Sequence, residues 1–181
     1  NAITYHFGSK EKLYQEILDR FAALQLEQTR TALSGELRSP EEFEVRLEMF
    51  LAQLLETYLD NRETLLIALR EFEQLPPDSD DSALRELMEV NRSLSNFVQK
   101  AKDKGFVRED VDTGVVVGTL LDRLINQARY AHTHKQFFGV TSLGPEYRAY
   151  WVRASLGLVL EGMKPRAQPA PQRSKGEDHA H

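Results

Sequence analysis

Cysteine is absent from the 181 residues. That excludes disulfide frameworks, thiolate zinc sites and thiol nucleophiles, and it fits a reducing, cytoplasmic setting. Long apolar runs are missing too. Stretches such as Val115 to Val117 and Leu158 to Leu160 fall far short of the roughly 20 residues that a bilayer-spanning helix needs, so no membrane role is expected. The start of the chain shows no basic-then-apolar leader pattern. Excess positive charge is also lacking: 23 basic against 28 acidic residues give a net charge of −5. An acidic chain cannot grip nucleic acid with its whole surface, so any such contact must come from a local basic patch. Nucleophile elbows, phosphate-binding glycine loops and HExxH patterns are all missing, which leaves an enzyme as the weakest class and calls for no cofactor. His132 and His134, two apart, would point to different faces of a helix and make a poor metal pair.

What is present is helical periodicity along nearly the whole chain, with little strand-like alternation, so the expected fold class is all-α. Ser9 caps a first long helix with Leu13, Ile17, Phe21 and Leu24 on one face, fading near Ser34-Gly35. Ser39-Pro40-Glu41-Glu42 combines a cap, a proline at the first helical position and a glutamate three residues after the cap. It opens a helix with a buried stripe of Phe43, Leu47, Phe50, Leu51, Leu54 and Tyr58. Asp60-Asn61 interrupts that stripe, Leu65, Leu66, Leu69 and Phe72 resume it, and Pro76-Pro77 ends it. A further helix carries Leu84, Leu87, Met88, Asn91, Leu94, Phe97, Val98 and Ala101 up to Gly105. The next, opened by Asp110 to Asp112, carries Val116, Leu120, Leu124, Ala128 and Ala131 towards Gly139. The last follows Gly144-Pro145. After Met163 the proline-rich, mixed-charge composition has no apolar period, so residues 164–181 are expected to be a disordered tail.

The most specific stretch is Ala2-Ile3-Thr4-Tyr5-His6-Phe7-Gly8-Ser9-Lys10-Glu11-Lys12-Leu13. Ile3 and Phe7 are four apart and share a face that can anchor a helix, while Thr4, Tyr5 and His6 project elsewhere, towards phosphates or base edges. Ser9 and Lys10 begin the next helix, where the dipole and an ammonium group together favour a phosphate. This run resembles the end of the recognition helix and the start of the following helix in TetR/AcrR-family transcriptional regulators. It is closest to those reading Asn-Tyr-His-Phe-Gly-Ser-Lys and departs from them at Thr4.

The resemblance implies that Ala2, Thr4, Tyr5, His6 and Lys10 sit where the family touches operator DNA, and that Ile3 and Phe7 sit in its small helical core. It also implies residues 1–20 as the remnant of a helix-turn-helix unit and the start of a connecting helix, with a ligand-binding and dimerising helical domain over residues 21–163. Two more helices of the DNA-binding unit are expected ahead of Asn1, so these residues alone should bind operator poorly. The implied function is a ligand-responsive regulator, a repressor released from its operator by a small molecule. The competing reading is a helical homodimer that binds small molecules or proteins without reading DNA.

Two further expectations concern the helical domain. Aromatic stripes converging in one bundle place a mostly apolar cavity around Phe50, Tyr58, Phe97 and Leu124, with Asn91 and Asn126 orienting an apolar effector. The helices at 112–138 and 145–162 carry more apolar surface than one stripe needs, which predicts a two-fold homodimer through Leu120, Leu121, Ala128, Tyr147, Trp151, Ala154 and Leu158. Of the polar residues set within those stripes (Asn91, Arg92, Asn96, Asp122, Arg123, Asn126, Gln127 and Arg129), most are expected to face solvent or a subunit interface.

Overall fold

The structure is a computed structural model that describes residues 10–76, 79–139 and 144–165. Among the described residues there are six helices and no strand: α1 (Lys10–Leu33), α2 (Pro40–Asp60), α3 (Arg62–Gln74), α4 (Ser82–Asp103), α5 (Thr113–Phe138) and α6 (Pro145–Met163). Each boundary has a local cause. Ser39 Oγ accepts from Glu42 N at 3.2 Å and Pro40 takes the first helical position of α2. Asp81 and Asp112 cap α4 and α5 through Leu84 N at 2.8 Å and Val115 N at 2.9 Å. Gly139 ends α5 at φ 63°, a left-handed conformation that glycine adopts without steric cost. Removing one of these caps tests the local reading: Ser39→Ala is expected to cost about 1 kcal/mol, seen as a lower urea midpoint at unchanged slope.

The long helix α1 lies parallel to α4. Ser82 Oγ at the start of α4 donates to Asp19 Oδ1 at 2.6 Å, and Leu33 at the end of α1 shares a surface recess with Asn96 and Lys100. The buried face of α1 runs through Leu18, Phe21, Ala22, Gln25, Leu26, Thr29 and Leu33. It is rotated from the expected stripe, because Leu24 is 41% exposed while Gln25 and Thr29 are fully buried. Bonds back to the helix satisfy part of this burial, Gln25 Nε2 to Phe21 O at 3.2 Å and Thr29 Oγ1 to Gln25 O at 2.7 Å, while Gln25 Oε1 is buried without a partner among the described residues.

The stripe of α2 is buried as expected, from Phe43 to Tyr58. That of α5 is buried at Val116, Leu120, Leu124, Ala128 and Ala131. Helix α4 differs from expectation on one side: Leu94, Phe97, Val98 and Ala101 are buried, but Met88 and Asn91 face outward. Only Leu65 of the four apolar positions expected inside α3 is buried; Leu66, Leu69 and Phe72 are half-buried.

Helix α6 runs antiparallel to α2 and is fastened along its length by ion pairs: Arg148 to Asp60 at 3.3 Å, Arg153 to Glu48 at 2.9 Å and Lys164 to Glu44 at 3.7 Å. The backbone N–H of Arg108 closes the end of α6 by donating to Met163 O at 2.9 Å. A less legible fastening is Arg46. Its guanidinium donates to Ala32 O at 3.1 and 3.2 Å, to Glu36 O at 3.2 Å and to Ser34 O, and so satisfies the carbonyls left over where α1 ends. The same group stacks 5.0 Å from the centre of the Phe97 ring, joining α1, α2 and α4 at one point.

Candidate functional site

Of the residues expected to touch DNA, Ala2, Thr4, Tyr5 and His6 lie outside the described residues, as do positions 166–181 of the expected tail. Lys10 is the first residue of α1. The geometry therefore bears on how α1 is held. It is clasped by α4 and α2 from Leu18 onward: by Asp19 to Ser82 near its middle, by Gln28 Oε1 accepting from Thr57 Oγ1 at 3.0 Å in its second half, and by Arg46 at its end.

The structure separates the six residues expected to bind an effector into three places. Phe50, Tyr58, Phe97 and Leu124 are buried in one continuous core. Within it the Phe43 and Phe97 rings lie 5.4 Å apart, and the Phe21 and Tyr58 rings 6.4 Å apart. Burial pushes the Tyr58 phenol well above its ordinary pKa, so it stays neutral. Asn91 is exposed on α4 and does not reach this core, a correction to the expected stripe that follows from the outward turn of Met88 and Asn91. Asn126 is also turned outward. It lines a surface recess between α5 and α6 together with Arg123, Gln127, Tyr130, His134 and Trp151. A second open recess, of about 560 Å³, lies between α1 and α2 at Ala32, Arg46, Met49 and Gln53.

The residues expected at a dimer interface also divide. Leu120 and Ala128 are inside the subunit, facing the bundle interior, so neither can form a surface contact. Their stripe on α5 is the one that packs against the subunit's own helices. Leu121, Tyr147 and Trp151 are half-buried, and Ala154 and Leu158 are exposed. The outer faces of these helices add Val115, Tyr130 and Phe137 on α5 and Tyr150 on α6, all large and exposed. Both helices carry exposed large apolar residues, but Leu120 and Ala128 belong to the inner arc of α5. The spacing Val115, Asn126, Tyr130, Phe137 holds the outer arc and was readable, though nothing in it distinguishes inside from outside.

Polar residues within the stripes mostly face out: Asn91, Arg92, Asn96, Asp122, Arg123, Asn126 and Arg129 are exposed, and Gln127 alone of that set is buried. His132 is exposed and His134 half-buried, and among the described residues no three potential ligands gather to hold a metal ion. No described helix is long and apolar enough to cross a membrane.

Three solved structures share this helical fold. PfmR, a TetR-family transcriptional regulator from Thermus thermophilus, superposes with a TM-score of 0.69 at 21% identity, covering 91% of this chain and 80% of its own. The ketosteroid transcriptional regulator KstR2 of Mycobacterium tuberculosis gives 0.71 at 19% identity, covering 91% and 78%. A regulator of the TetR/AcrR family from Thermobifida fusca gives 0.63 at 23% identity, covering 89% and 78%. No protein-family model matches the chain, and no curated protein matches it. The chain thus has the fold of the TetR-family regulators, and its likeness to these neighbours lies in structure more than in sequence.

Proposed function

We propose that the chain is the sensing and dimerising part of a ligand-responsive, DNA-binding transcription regulator that acts in the cytoplasm as a repressor and leaves its operator when a small molecule binds. The observation that carries this reading is continuity. The Tyr5-His6-Phe7-Gly8-Ser9-Lys10 run leads straight into α1, and α1 is the helix that α2 and α4 clasp from its middle to its end. A ligand that shifts the bundle would then re-aim the DNA-reading end through α1, provided that it binds the two arrangements with different affinity.

In this reading Ala2, Thr4, Tyr5, His6 and Lys10 contact a near-palindromic operator, within a helix-turn-helix unit completed by residues ahead of Asn1. Lys10 neutralises a phosphate at the start of α1, where the helix dipole assists it. The test is Lys10→Ala in the protein carrying the complete unit. Binding is expected to weaken alike for operator and unrelated DNA, and the slope of log affinity against log salt to flatten by about one unit. An unchanged slope would remove Lys10 from the DNA surface.

A further inference from the structure

The recess between α5 and α6 is not part of the buried core, and the reading above gives it no role. Its volume is about 310 Å³, near the lower end of the roughly 300–1,000 Å³ usual for small-molecule sites. Four of its residues, Arg123, Gln127, Tyr130 and His134, follow one another at helical spacing along α5, and Trp151 closes it from α6. Three features distinguish it from an ordinary surface dimple.

The first is Gln127. Its residue is only 6% exposed, yet it lines the recess and its amide makes no hydrogen bond to a described residue. Among the described residues the buried polar atoms without a partner are Gln25 Oε1 and Glu86 Oε2 and not those of Gln127, so its amide meets solvent at the recess and can exchange water for a polar group of a guest. The second is Arg123. One of its N–H groups donates to Ser155 Oγ at 3.1 Å, and its guanidinium lies 5.5 Å from the centre of the Trp151 ring. These contacts hold the group in place while leaving most of its donors uncommitted, and no described carboxylate pairs with it. Arg148 and Arg153 of α6, by contrast, each pair with carboxylates of α2. The third is the pair of ring systems: Trp151 is half-buried and Tyr130 is 48% exposed, so both keep surface that a flat guest can cover.

We propose that this recess is a binding site for a flat aromatic carboxylate. The carboxylate meets the Arg123 guanidinium, whose fork matches two oxygens. The ring system lies against Trp151 and Tyr130, and the Gln127 amide takes a polar edge of the guest. Tyr130 also belongs to the outward face that a second copy is proposed to cover, so a guest here would sit at the mouth of the dimer contact and shift dimer geometry. That consequence rests on the regulator reading; the binding itself does not and is measured without DNA, so the two fail separately.

The test uses the whole chain and β-naphthoate, with β-naphthamide as its neutral isostere. The sequence has one tryptophan, so a single indole N–H signal in a proton–nitrogen correlation spectrum reports on Trp151. Naphthoate is expected to move that signal saturably, and the amide to bind about tenfold more weakly or worse, as the loss of a charge-assisted hydrogen bond requires. Arg123→Gln should weaken naphthoate about tenfold and abolish the preference for acid over amide. Gln127→Leu should weaken both compounds and keep that preference. Equal affinity for acid and amide in the wild-type protein, or no saturable movement of the indole signal, overturns the proposal whatever the variants do. So does unchanged naphthoate affinity in a folded Arg123→Gln.

Discussion

Phe97→Ala is expected to lower the unfolding free energy by about 3–5 kcal/mol, one of the largest effects of any single truncation in this chain. Phe97 is 1% exposed and stands where three helices meet. Its ring contacts Phe43 from α2 at 5.4 Å, and the Arg46 guanidinium covers it at 5.0 Å. Truncation removes the transferred apolar surface and leaves a cavity that the surrounding α1, α2 and α4 cannot close, because Arg46 is itself committed to the carbonyls at the end of α1. The loss should also loosen Arg46, so the end of α1 is expected to lose protection from amide exchange more than α6 does. For a chain of this length the shift in Tm would be roughly 6–20 °C, at about 2–4 °C per kcal/mol. Phe97→Leu keeps most of the volume and should cost far less. A Tm for Phe97→Ala within a degree or two of wild type would mean that this junction does not hold the core.

How much of this was readable beforehand depended on how many arcs of each helix are apolar. Helix α2 has one apolar arc and a strong start at Ser39-Pro40, so both its boundary and its buried face follow from sequence. Helix α1 offers apolar residues on several sides, and the face that packs includes Gln25 and Thr29. Periodicity counts such residues as polar; bonds back to the helix satisfy part of their burial. On helix α4, Met88 and Asn91 continue the expected spacing but lie on the outer side of a turn whose inner side is buried through Val90. Along α5 the difficulty was different. Leu120 and Ala128 lie on one arc, Val115, Tyr130 and Phe137 on another, and both are apolar. A sequence cannot tell which arc the subunit keeps for itself. The candidate sites followed from this. The aromatics expected around a cavity became packed core, and the polar and aromatic groups that do surround a recess, Arg123, Gln127, Tyr130 and Trp151, come from two helices whose juxtaposition only the fold supplies. For Arg46 the sequence offers only the i,i+4 pairing with Glu42, since its other partners are backbone carbonyls and a ring from a distant helix.

Leu158→Glu combined with Tyr150→Glu is expected to convert a dimer into a monomer. On α6 these side chains are 74% and 68% exposed, and on α5 Phe137 and Val115 are 71% and 66% exposed. Four large apolar groups are spread along the outer faces of two adjacent helices, where a second copy could cover them. The small residues Ala154 and Gly157 lie between Tyr150 and Leu158 in the sequence of α6 and let a second helix approach closely. In a two-fold contact each substitution appears twice, so the double variant places four carboxylates in the interface. Each must be desolvated without a partner or drive the subunits apart, and separation is the cheaper outcome. Sedimentation at micromolar concentration should give a species near twice the 20.8 kDa chain mass for wild type and near the chain mass itself for the variant. Met49→Glu is the matching control. Met49 is 65% exposed on α2, beside the open recess between α1 and α2, so adding a charge there should leave the dimer intact. A wild-type species at the single-chain mass, or dissociation by Met49→Glu as readily as by the double variant, would remove α5 and α6 as the dimer contact. The helix faces also explain why the effect should be confined to association. Leu156 and Leu160, which alternate with Leu158 along α6, point inward at 3% and 8% exposure and keep the helix seated on α2. The folded monomer should therefore survive the substitution with its helix content unchanged by circular dichroism.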